Sequence, residues 1–66
     1  MPVINIDLAL GQVGEGQKQQ LIERITADAA EIIGLPAAKF ILIINEFPSE
    51  NIGVGGKTVK AIQAGR

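Results

Sequence analysis

Sixty-six residues with six basic and seven acidic side chains, no cysteine and no histidine leave few routes to either stability or chemistry. Without thiols there are no disulfides or thiolate metal sites, without imidazole the commonest metal ligand is missing, and a near-neutral chain with no basic stripe is not built for nucleic acid. No metal or cofactor is expected, the expected compartment is the cytoplasm, and the longest apolar run, Phe40 to Ile44, is far too short to span a bilayer.

The first element opens at Pro2, directly after Met1. Ile4, Ile6, Leu8 and Leu10 are apolar while Asn5 and Asp7 interrupt the odd positions, a period of two that predicts a strand over Pro2 to Leu8 with one face on a core. Gly11, Gly14 and Gly16 punctuate a turn. From Gln17 to Ile33 the period changes: Leu21, Ile22, Ile25, Ala29, Ile32 and Ile33 recur at offsets of three and four, so an amphipathic helix is predicted. Gly34 suits the left-handed position after its end, and Pro36 blocks continuation.

Phe40-Ile41-Leu42-Ile43-Ile44 shows no alternation, as in a strand covered on both faces. Strand, helix and strand at this spacing form a β-α-β unit with parallel strands and a right-handed crossover. One helix covers only one face of two strands, so the other face must meet another subunit. A chain this short buries only about 60% of its unfolded surface, which points the same way. After Pro48, Gly53-Val54-Gly55-Gly56 predicts a tight hairpin, and Lys57 to Arg66 a short helix or an arm over a neighbour. The expected class is α+β, one domain over residues 1–66.

Three features invite a chemical reading. Gly56-Lys57-Thr58 resembles part of a phosphate loop, but Asn51 stands where the first glycine belongs and only eight residues follow Thr58, so a glycine hairpin with a surface lysine is the better reading. The carboxylates Glu46 and Glu50, or Glu23 and Glu31, have no spacing that fixes a shared pocket. Pro2 remains. Initiator methionine is usually trimmed before a small residue, and removing Met1 frees a secondary amine able to act as base or nucleophile near neutral pH. The plainer reading is a proline tolerated at the first residue of a strand.

Pro2 opening a strand, Gly11 at its end, Gln17-Lys18, Leu21-Ile22, Pro36, the aliphatic second strand, Glu46 and the Gly53-Val54-Gly55-Gly56 hairpin occur in an order that resembles the 4-oxalocrotonate tautomerase family over nearly the whole chain. The segment Glu50 to Lys57 is similar to its DmpI-type branch. The resemblance implies a protomer that pairs into four-stranded dimers, commonly a trimer of dimers, hence a hexamer. It implies a small acidic substrate, an unsaturated 2-oxo or 2-hydroxydienoate acid, with Pro2 as general base. Burial of a cationic amine disfavours its charged form, moving it toward the range where general-base work is most efficient.

Better-known members carry arginines at two positions that are Gln12 and Ile41 here, and an aromatic wall at the position of Ile52. Gln12 and Ile52 would therefore offer a neutral donor and an apolar wall, and Ile41 no polar contact at all. Neutral hydrogen bonds are roughly half as strong as charge-assisted ones, so a dianion loses most of its anchorage. Lys39, two residues before Ile41 and on the same side of an extended chain, is the expected replacement cation, or else a solvated lysine. The alternative to an enzyme is a tautomerase-like oligomer without this activity, serving as a binding or structural module.

Overall fold

The computed structural model describes residues 1–65. Strand β1 (Val3–Ala9), helix α1 (Glu15–Ile33) and strand β2 (Ile41–Phe47) make the β-α-β unit. A hairpin of β3 (Gly53–Val54) and β4 (Lys57–Thr58) follows, then a short helix α2 (Val59–Ala64). β1 and β2 run parallel, in register from Val3 opposite Ile41 to Ala9 opposite Phe47. Tail residues 59–64 form the short helix, the first of the two expected forms.

The boundaries move for identifiable reasons. β1 starts one residue after Pro2, which has no N–H to give, although the Pro2 carbonyl accepts from the Ile41 N–H at 3.0 Å. β2 outruns the apolar block by taking in Asn45, Glu46 and Phe47. Its polar members are satisfied: Asn45 Nδ2 donates to Asp7 Oδ1 at 3.1 Å across the sheet, and Glu46 forms an ion pair with Lys18 of α1. The helix begins at Glu15 rather than Gln17, because the Gly14 N–H donates to Gln17 Oε1 at 2.9 Å and Glu15 meets the positive end of the helix dipole. Gly16, expected in the turn, therefore lies in the first helical turn. At the other end Gly34, at φ 82°, donates its N–H to the Ala30 carbonyl and stops the helix as its sequence position predicts.

The apolar residues of β2 alternate after all, in exposure if not in chemistry. Leu42 and Ile44 are half-buried with Ile4, Ile6 and Leu8 on one face, while Ile41 and Ile43 on the other are 42% and 44% exposed. On α1, Leu21, Ile25 and Ala29 are half-buried. Ile32, on the same stripe, is 84% exposed, because a 19-residue helix reaches roughly 28 Å and overhangs strands of roughly 20 Å.

No described residue is buried in the single protomer. Its radius of gyration is 15.2 Å, where a compact chain of this length has about 11 Å. Its accessible surface is 4969 Å², against about 4,000 Å² for a folded monomer of 6.9 kDa. With extents of 46 × 24 × 14 Å the protomer is a plate with one dressed face.

The hairpin turns through Gly55 and Gly56, at φ 62° and 84°, a pair of left-handed residues that matches the twist of a two-residue hairpin. A Cβ on Gly55 would touch nothing within 4 Å, so the penalty of a side chain there is backbone strain alone. Gly55→Val is expected to destabilise by about 1–2 kcal/mol, read as a fall in melting temperature at fixed protein concentration. An unchanged melting curve would show that the turn tolerates a different geometry.

Candidate active site

Pro2 stands half-buried at the head of β1, with Met1 86% exposed in front of it. While Met1 is attached, the proline nitrogen is a tertiary amide whose lone pair is delocalised into the carbonyl. Only the trimmed chain presents an amine at Pro2. The hydrogen bond from Ile41 to the Pro2 carbonyl places the start of β2 beside it. Ile41 is exposed on the open sheet face, next along the chain from Phe40, which is half-buried.

Lys39 closes a 3-10 turn over Ala37–Lys39, its N–H donating to the Pro36 carbonyl at 3.0 Å. The backbone there is not extended, so the period-two relation between Lys39 and Ile41 does not hold. What remains is proximity: an exposed cation two residues from the strand that holds Pro2.

Gln12 and Ile52 lie elsewhere. They line a groove of about 570 Å³ at the far end of β1, with Leu8, Phe47 and Val59 supplying apolar walls. Seven strand residues, roughly 20 Å, separate that groove from Pro2. One protomer thus groups Pro2, Lys39 and Ile41 at one end and Gln12 and Ile52 at the other, and does not bring the two groups together.

Sequence reasoning missed Asp7 and Asn51, which also line the groove. Asp7 was legible only as a polar interruption of a strand. Its position one residue before Leu8, on the opposite side of the strand, gave no hint that both border one cavity.

The competing motifs find structural employment. Thr58 Oγ1 accepts from the Ala61 N–H at 3.1 Å and caps a helix of six residues, so its hydroxyl is committed to the fold. Glu46 is engaged by Lys18, and Glu50 is exposed. Among the described residues no group of three His, Cys, Asp or Glu is placed to hold a metal ion. Nor, among them, is any helix long and apolar enough to cross a membrane. Arg66, a further possible anchor for a carboxylate, lies outside the described residues.

The family model for tautomerase enzymes matches residues 2–62. A 2-hydroxymuconate tautomerase from Comamonas testosteroni is 34% identical over 62 residues, covering 94% of this chain and 97% of that protein. The crystal structure of DmpI from Helicobacter pylori superposes with a TM-score of 0.84 at 35% identity, over 96% of this chain and 97% of the other. A heterohexameric 4-oxalocrotonate tautomerase from Chloroflexus aurantiacus gives 0.85 at 32%, over 91% and 95%. Agreement in sequence and in fold runs from Pro2 through the second strand to the glycine hairpin, and this chain belongs to the tautomerase family of isomerases.

Proposed function

We propose that the trimmed chain is a keto–enol tautomerase in which the Pro2 amine moves a proton on an unsaturated 2-oxo or 2-hydroxydienoate acid, within a homo-oligomer, most simply a hexamer. The amine accepts the proton of the dienol hydroxyl and returns it to a carbon of the conjugated chain. One O–H bond is exchanged for one C–H bond as the carbonyl forms, and nothing is gained or lost. No histidine or cysteine competes for the role.

The observation that carries this reading is the placement of base and groove at opposite ends of one strand. Among the described residues no strand lies beside the edge of β1 away from β2, and an unpaired edge is a template for a second chain. Antiparallel pairing of two β1 strands brings Gln12 and Ile52 of a second copy to Pro2, and makes four strands of two. The site is then whole only in the assembly. Turnover is followed as loss of dienol absorbance in protein verified by mass to lack Met1; absence of any turnover across a panel of 2-hydroxydienoates and aryl enolpyruvates would overturn the proposal.

Lys39 is the proposed carboxylate anchor beside the amine. Lys39→Ala is expected to raise KM for an acidic substrate by about tenfold, the order of one charge-assisted contact, with kcat changed less, as for loss of binding shared by ground and transition states. An unchanged KM would transfer the role to another cation, Lys57 or Arg66 among them.

A further inference from the structure

The groove at the far end of β1 is apolar over most of its wall, and its polar lining is Gln12, Asn51 and Asp7. Neither amide carries charge. Among the described residues, the one charged side chain lining it is an acid, and no cation is among the residues that form it. Asp7 is held in place: its register partner is Asn45, whose Nδ2 donates to Asp7 Oδ1 at 3.1 Å, so the carboxylate has a fixed position in the sheet.

We propose, resting on the reading of Pro2 as the base, that Asp7 is a specificity-determining residue that restricts the site to monocarboxylates with an apolar tail. The single carboxylate stays at the Pro2 end, near Lys39. The tail enters the groove of a second copy, against Leu8, Phe47 and Ile52. A substrate with a carboxylate at both ends places its second charge beside Asp7, with only neutral amides to receive it. Two like charges about 6 Å apart at a partly screened site repel enough to weaken binding about 10- to 100-fold, and an apolar lining offers the second carboxylate no compensation for lost water. An aryl or alkyl tail meets no such penalty, because it leaves the Asp7–Asn45 pair undisturbed and removes its own surface from water.

The test reads binding as well as turnover, so that it stands apart from the role of Pro2. Calorimetry on Met1-free protein compares phenylpyruvate, a monocarboxylate with an apolar ring, with cis,cis-muconate, a dicarboxylate of similar length. In parallel, kcat/KM is measured for phenylenolpyruvate and 2-hydroxymuconate. Wild type is expected to favour the monocarboxylate by at least about tenfold in both comparisons. Asp7→Asn, which keeps the shape and a hydrogen-bonding partner for Asn45, is expected to shift the ratio about tenfold toward the dicarboxylate, chiefly through KM, and to abolish its dependence on salt. Asp7→Glu, which keeps the charge, is expected to hold the wild-type preference. Tighter binding of the dicarboxylate by wild type, no saturable binding of either probe, or equal shifts in Asp7→Asn and Asp7→Glu would each overturn the proposal. Equal turnover by wild type and Pro2→Ala would instead defeat the proline mechanism, and the binding ratio would still report on Asp7.

Discussion

Met1-free protein carrying Pro2→Ala is expected to lose about two to four orders of magnitude in kcat/KM while remaining folded and assembled, the range that a positioned acid–base group supplies. Alanine leaves a primary amine on a flexible terminus in place of a secondary amine in a ring fused to the strand. The proline carbonyl, which holds Ile41, is retained in the variant, so the register of β1 and β2 should survive. Protein that retains Met1 should fall at least as far, because its Pro2 nitrogen is an amide. The three species are compared on the same dienol, each homogeneous by mass. Equal rates for wild type and Pro2→Ala would exclude the proline, and full activity with Met1 in place would exclude any amine at that position.

A charge on the bare sheet face should dismantle the protein. Ile43 sits on that face, opposite Asn5 and flanked by Ile41 on its own strand. Among the described residues none is buried, and the exposed apolar stripe of Val3, Ile41, Ile43 and Phe47 is, in the proposed assembly, covered by another chain. Completing the burial of each such side chain contributes about 1–2 kcal/mol, and Ile43→Lys both forfeits that and demands desolvation of an ammonium. Sedimentation of wild type is expected to show a species several times the 6.9 kDa protomer. Ile43→Lys is expected to be monomeric and largely unfolded by circular dichroism, while Glu23→Lys, on the exposed side of α1, assembles normally. A stable folded monomer at micromolar concentration, in either wild type or Ile43→Lys, would contradict this.

Periodicity was enough to read the β-α-β unit, since the even positions of β1 and the three-four spacing of α1 answer to a single packed interface. It failed where polar residues are satisfied by distant partners. Asn45 and Glu46 looked like the end of a strand because their partners, Asp7 and Lys18, are far away in sequence. Lys39 looked extended because nothing in Ala37-Ala38-Lys39 announces a 3-10 turn. The candidate site was legible as a set of residues and not as a place. Pro2 came from its place behind Met1, and Gln12, Ile41 and Ile52 from a family pattern, whereas their division between two ends of the protomer follows from the length of β1, and the presence of Asp7 in the groove from the residues after β2, Asn51 to Gly53, that line the same cavity.

That division has a consequence for descent. In the proposed assembly, substitutions at the head of β1 and substitutions at its foot act on different sites, although a single gene encodes both. After duplication, one copy can drift at the proline end and the other at the groove end, and together they still compose working centres. Each daughter then becomes indispensable to its sibling, and selection holds the pair without any change of fold. A strand of seven residues is long enough to let one ancestral duty be inherited in two halves.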